Sequence, residues 1–234
     1  MTPLNRATKG MLTMFALAGF VTLSSCSKDD DNTTVHPDAS VKVVNVFANG
    51  GNVDIYNGDT KINSTAIAYG TATNYINVAK GDATLNFRSA TGNTILSKPV
   101  DFKNGGSYSL FGAGTTNDNQ AVGVLTEDNL DAPASGKAKI RIVHVSPDAQ
   151  TVNVQVNDAA FESDVTYQKA TAFKEVAAGT YKIAVFRTAG GLNLYTNEAV
   201  KLDAGKIYTF VAQGKVENTP LVEQGFTVNQ LTNN

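Results

Sequence analysis

Three residues near the middle of this 234-residue chain, His144, Ser146 and Asp148, are of the types that hydrolyse acyl bonds: an imidazole base, a nucleophilic hydroxyl and a carboxylate. That chemistry requires the three groups to converge at roughly 3 Å, normally from separate elements. Here they lie two apart in Ile140-Arg141-Ile142-Val143-His144-Val145-Ser146-Pro147-Asp148, an apolar run that reads as a strand ended by a Pro-Asp turn. His144 and Ser146 then point the same way, so no catalytic residue is assigned and the chain is not expected to be an enzyme. The other histidine, His36, stands far from His144 with no ligand spacing between them, so no metal site is expected. Asn117-Asp118-Asn119 offers oxygen atoms but lacks the glycine and bidentate glutamate of a calcium loop, and it reads as a solvated turn. Gly112-Ala113-Gly114 lacks the third glycine of a phosphate-cradling loop and leads into no helix. No cofactor is expected. Tyr56, Tyr69, Tyr75, Tyr167, Phe173 and Tyr195 could stack on sugar rings, but alternating aromatics without a tryptophan are more simply core or cross-strand pairs.

The remaining reactive side chain is Cys26, the one cysteine. Arg6 and Lys9 precede an apolar run of 13 residues, Met11 to Leu23. As a helix that run rises only about 20 Å against roughly 30 Å of bilayer hydrocarbon, which suits the core of a signal peptide and not a permanent span. It ends in Leu23-Ser24-Ser25-Cys26, which resembles the lipobox of bacterial lipoproteins. The resemblance implies cleavage after residue 25 and acyl chains on Cys26, which anchor the protein to a membrane and leave no thiol for a disulfide. Ser27 stands where an aspartate would imply retention in the inner membrane, and Lys28-Asp29-Asp30-Asp31 resembles the acidic export signal of Bacteroidota-type surface lipoproteins. An outer-membrane, surface-exposed lipoprotein is expected. Loss of residues 1–25 removes Arg6 and Lys9 and no acid, moving the formal charge from −2 to −4. Nothing there attracts nucleic acid or anionic headgroups.

These residues must be positioned by strands. Val152-Asn153-Val154-Gln155-Val156, Thr84-Leu85-Asn86-Phe87-Arg88 and Lys182-Ile183-Ala184-Val185-Phe186 carry the period-2 pattern of half-buried strands. Asn57-Gly58, Lys80-Gly81-Asp82, Thr91-Gly92-Asn93 and Gly190-Gly191 supply turns between them, and no amphipathic helix is evident. The chain also repeats itself. Val41-Lys42-Val43-Val44-Asn45-Val46 aligns with Ile140-Arg141-Ile142-Val143-His144-Val145 at an offset of 99 residues. Tyr69 to Tyr75 aligns with Tyr167 to Phe173 at 98, and Phe102 to Tyr108 with Leu202 to Tyr208 at 100. The polar stretch 127–136 separates the copies and reads as a linker. The expected organisation is a signal peptide (1–25), a lipidated flexible tether (26–39), a first repeat (40–126), the linker and a second repeat (137–231).

Phe102, Gly105 and Tyr108 recur as Leu202, Gly205 and Tyr208 where a strand begins. This resembles the tyrosine corner of immunoglobulin-like sandwiches, in which the phenol bonds the backbone of the preceding turn. The expected fold is all-β: two tandem immunoglobulin-like antiparallel β-sandwich domains. Ile140 to Ala149, Val176-Ala177-Ala178-Gly179-Thr180-Tyr181 and Leu202-Asp203-Ala204-Gly205-Lys206 closely resemble the bacterial family of domain of unknown function 4397. The first repeat looks like a divergent copy, with Asn45-Val46-Phe47-Ala48-Asn49 in place of His144-Val145-Ser146-Pro147-Asp148. The resemblance implies extracytoplasmic β-rich repeats and no catalytic residues. The expected role is a non-enzymatic binding or structural module with a protein or glycan ligand; the alternative is a glycan-binding accessory lipoprotein of an outer-membrane uptake system.

Overall fold

The computed structural model describes residues 38–116, 120–217 and 224–234. Among the described residues the first repeat holds nine strands: β1 (Ala39–Ala48), β2 (Val53–Asn57), β3 (Thr60–Lys61), β4 (Thr71–Ala72), β5 (Ile76–Val78), β6 (Gly81–Ser89), β7 (Thr94–Phe102), β8 (Gly106–Thr115) and β9 (Val122–Glu127). The second follows the same order with β10 (Lys137–His144), β11 (Val152–Val156), β12 (Ala159–Val165), β13 (Lys169–Ala170), β14 (Lys174–Ala177), β15 (Gly179–Arg187), β16 (Asn193–Leu202), β17 (Ile207–Gln213) and β18 (Thr227–Thr232). Among the described residues the helical content is one 3-10 turn, Ala189–Gly191.

Each repeat is a two-sheet sandwich. In the first, the sheet β4-β1-β8-β9, with β5 also on β1, packs on the sheet β3-β2-β6-β7. In the second, β13-β10-β17-β18, with β14 on β10, packs on β12-β11-β15-β16. The pairings are antiparallel except β1 with β8 and β10 with β17, which run parallel because the chain crosses to the other sheet and back between them. Val53 and Ile55 on β2 and Val152 and Val154 on β11 are buried while the residues between them are partly exposed, the alternation read from the sequence.

Strands β1, β8, β10 and β17 depart from that alternation and are buried along nearly their whole length. Both faces of these strands are covered. Val41 and Val43 enter the core of the first repeat, and Ile140 and Ile142 that of the second. On the opposite faces Val44, Val46, Phe111, Ala113 and Val124 of the first repeat meet Val143, Val145 and Val211 of the second in a third apolar cluster. The four sheets therefore stack in layers, with the two sandwiches joined through their inner sheets. Asp128, in the stretch read as a linker, is buried within that junction.

Candidate functional site

His144 ends β10 with no exposed surface. Its Nε2 lies 2.6 Å from the Gln150 carbonyl oxygen, and the Ser146 backbone N–H donates to Nδ1 at 3.4 Å. A carbonyl only accepts, so the proton sits on Nε2 and both ring nitrogens are engaged. Burial pushes the imidazole pKa below its ordinary value, keeping the ring neutral. The Ser146 hydroxyl donates to Asp148 Oδ1 at 3.5 Å and not to the imidazole. The Asp148 carboxylate in turn accepts the backbone N–H groups of Val216 at 2.9 Å and Glu217 at 3.0 Å. The three residues hold a loop, and the Ser146 hydroxyl is not bonded to the imidazole that a triad would need to activate it.

The phenolic oxygens of Tyr108 and Tyr208 accept the backbone N–H groups of Lys103 at 3.0 Å and Asp203 at 3.2 Å. Gly105 and Gly205 take φ of +73° and +79° in those turns, a conformation that favours glycine. Gly112 lies within β8, where an added Cβ would stand 2.4 Å from the Phe47 ring, so the glycine makes room for an aromatic side chain and not for a phosphate. Cys26, His36 and Asn117-Asp118-Asn119 lie outside the described residues, among which no three acidic, histidine or cysteine side chains group to hold a metal.

The six aromatics do not form one platform. Tyr56 is covered by the Arg88 guanidinium at 4.2 Å, Tyr167 meets His144 edge-on, and Tyr195 packs against the core of the second repeat. Tyr75 and Phe173 lie in the junction between the repeats, where Lys42 stands 4.9 Å over the first ring and Arg141 4.3 Å over the second. Around them is a buried polar network. Arg141 pairs with Asp128 at 2.7 Å and donates from Nε to Thr209 Oγ1 at 2.9 Å. Asp128 also accepts from the hydroxyls of Tyr75 at 2.6 Å and Ser109 at 2.5 Å, and Asn233 Nδ2 donates to the Tyr75 oxygen at 3.0 Å. Lys42 donates to the Thr232 carbonyl. Desolvation, followed by the adjacent Asp128 charge, raises the Tyr75 pKa; desolvation lowers that of Lys42. Sequence reasoning missed this network. Its signal was a cation at the same place in both apolar runs, Lys42 and Arg141, on the strand face turned away from each repeat's own core.

An open recess of about 410 Å³ lies at the side of the first sandwich, between the loop after β3 and the segment containing β4 and β5. Ile62, Ile67 and Ile76 give it an aliphatic lining, and Ser64, Thr65 and Asn74 a polar one. Asn63 shapes its wall, accepting the Ile55 N–H at 2.9 Å and donating to Asp54 at 2.9 Å and to the Thr65 carbonyl at 2.8 Å.

The model of a domain of unknown function, DUF4397, matches residues 39–155 and again 141–232. The chain belongs to this family. No curated protein matches it significantly. Among solved structures, a family 26 carbohydrate-binding module of Amy13K from Eubacterium rectale, in complex with maltoheptaose, is similar at 11% identity. It covers 81% of this chain and 95% of its own, with a TM-score of 0.26. A candidate adhesin from Bacteroides ovatus is similar at 9% identity over 82% of this chain and 92% of its own, with a TM-score of 0.20.

The stretch in which the two DUF4397 repeats differ most visibly retains one geometry. In the first repeat Asn45 Oδ1 accepts the Phe47 N–H at 3.2 Å, and Nδ2 donates to the carbonyls of Gly51 and Ile67, each at 2.8 Å. Positions 45, 47 and 51 stand 99 residues before 144, 146 and 150. A carboxamide and a neutral imidazole each offer one acceptor to the N–H two residues on and one donor to the carbonyl six residues on. His144 is thus the second repeat's version of a loop clamp that asparagine performs in the first.

Proposed function

We propose that this chain is a lipid-anchored, outward-facing, non-enzymatic binding module. Acyl chains on Cys26 hold it in the outer membrane, the polar residues 27–38 act as a tether, and the two joined repeats present a rigid surface beyond it. The observation that carries the binding role is the recess of the first repeat: an open, neutral, part-aliphatic hollow on a scaffold fixed by buried strands. Its size falls in the range of small-ligand sites. The residues best suited by type to catalysis, His144, Ser146 and Asp148, are committed to loop hydrogen bonds, which supports binding over turnover.

Two measurements test the reading. Protease treatment of intact cells, with a periplasmic protein as control, should digest this chain and spare the control. Arrays of peptides and oligosaccharides probed with residues 27–234 should yield a saturable ligand. A chain protected in intact cells defeats the outward-facing part, and silence across both arrays defeats the binding part.

A further inference from the structure

We infer that the recess of the first repeat binds a neutral, polyhydroxylated ligand of the saccharide class, and that the second repeat closes the same position with its own side chains. This rests on the reading of the chain as a binding module and adds where the ligand sits and what it is.

The chemistry follows from the lining, in which no residue is ionisable. A charged ligand would give up hydration there without a counter-charge. A purely apolar ligand would strip water from Ser64, Thr65 and Asn74 and leave their groups unpaired. Those three side chains are exposed and make no hydrogen bond among the described residues, whereas the neighbouring polar groups are already committed. Thr73 Oγ1 accepts the Val43 N–H, Thr71 Oγ1 donates to the Ala68 carbonyl, and the Asn63 amide is spent on the loop. Hydroxyls and a carboxamide that both donate and accept, set beside isoleucine side chains, match a molecule with hydroxyls at its edge and C–H groups on its face.

The second repeat supplies the contrast. Ile76 stands opposite Val41 on β1 as Lys174 stands opposite Ile140 on β10. The turn pairing Asn57 with Thr60 corresponds to that pairing Val156 with Ala159, which puts Phe161 in the place of Ile62. Lys174 Nζ reaches across this edge, 2.9 Å from Glu162 and 5.1 Å over the Phe161 ring, and donates to the Phe161 carbonyl at 3.0 Å. Strand β12 continues for seven residues there, where β3 stops after two and the chain leaves the sheet to form the recess loop. Lys174 is half exposed and Glu162 largely covered, and together with Phe161 they occupy the edge that stays open in the first repeat.

The test uses residues 27–234 and a panel of neutral gluco-, manno- and xylo-oligosaccharides, with oligogalacturonate as the charged member and a short peptide set alongside. At least one neutral oligosaccharide should bind saturably, with amide shifts concentrated in residues 62–76. Ala66→Trp, at an exposed position in the lining, should weaken that binding at least tenfold without moving the unfolding midpoint. The paired change Ile62→Phe and Ile76→Lys, which copies the closure of the second repeat, should do the same. Saccharide binding that all three substitutions leave intact, or whose shifts lie elsewhere, overturns the site while the binding-module reading stands. Binding only of oligogalacturonate or peptide overturns the ligand class, and absence of binding by every probe removes both.

Discussion

Replacing Asp128 with alanine leaves the Arg141 guanidinium buried without its carboxylate. Arg141 and Asp128 expose 2% and 0% of their side chains, so water cannot restore what is lost. Breaking a buried pair by removing one partner costs about 3–5 kcal/mol. The same substitution strands the hydroxyls of Tyr75 and Ser109, but because the donors share one carboxylate the losses overlap and do not sum. Against a whole-domain stability of roughly 5–15 kcal/mol that is a large share, and for a body of this size it corresponds to a fall of roughly 6–20 °C in the unfolding midpoint. Urea unfolding of residues 27–234 followed by circular dichroism and by tyrosine fluorescence, the chain having no tryptophan, measures it. The wild type should unfold in one transition, because the apolar cluster and the ion pair tie the two repeats together. Arg141→Met should cost far less in the Asp128→Ala background than alone, since the charge it removes is by then unpaired. Additive costs, a loss below about 1 kcal/mol for Asp128→Ala, or two separate wild-type transitions would refute the coupling.

Other outcomes follow from the same contacts. His144 is held neutral in the fold, so below its ordinary pKa of 6.5 the unfolded chain takes up a proton that the folded chain does not, and stability falls as pH drops through that value. His144→Asn, the residue the first repeat uses, should keep the clamp and flatten that dependence; an unchanged slope between pH 5 and 7 would assign it to other groups. Tyr75 shifts the opposite way: its raised pKa means stability declines as pH rises through the ordinary tyrosine value near 10, and Tyr75→Phe should reduce the decline. Tyr208→Phe removes the acceptor of the Asp203 N–H and should cost about 0.5–1.5 kcal/mol, or up to about 3 if that group finds no water; an unchanged denaturant midpoint argues that the bond contributes nothing. Cys26→Ser should yield an uncleaved chain that no longer partitions into detergent, and a processed, membrane-bound variant would remove the lipidation proposal.

Much of the fold was legible because a half-buried strand writes its environment into alternate residues. Val152-Asn153-Val154 states which face is wet, and Gly105 and Gly205 mark turns that need positive φ. The duplication was legible for a similar reason: each copy must satisfy the same core, so Val41 and Ile140 or Tyr108 and Tyr208 stay in step. The stacking of the inner sheets was less so. A strand covered on both sides shows a nearly continuous apolar run, and Val41-Lys42-Val43-Val44 by itself does not say whether its second face meets another repeat or another chain. The buried cations were the clue, because a charge survives inside such a run only where a partner waits for it.

The recess was illegible for a different reason. Its residues carry no charge, no unusual spacing and no aromatic, and an exposed Ser-Thr-Ala run reads as an ordinary loop. What distinguishes it is a comparison that requires the register of both repeats. At one end of the same sandwich edge stand Ile62 and Ile76, and at the other copy's edge stand Phe161 and Lys174, although the strands that carry them pair alike. A pattern search compares side chains for similarity and discards positions that differ. Here the difference carries the information, since two sandwiches with equivalent cores and equivalent loop clamps diverge at this one edge.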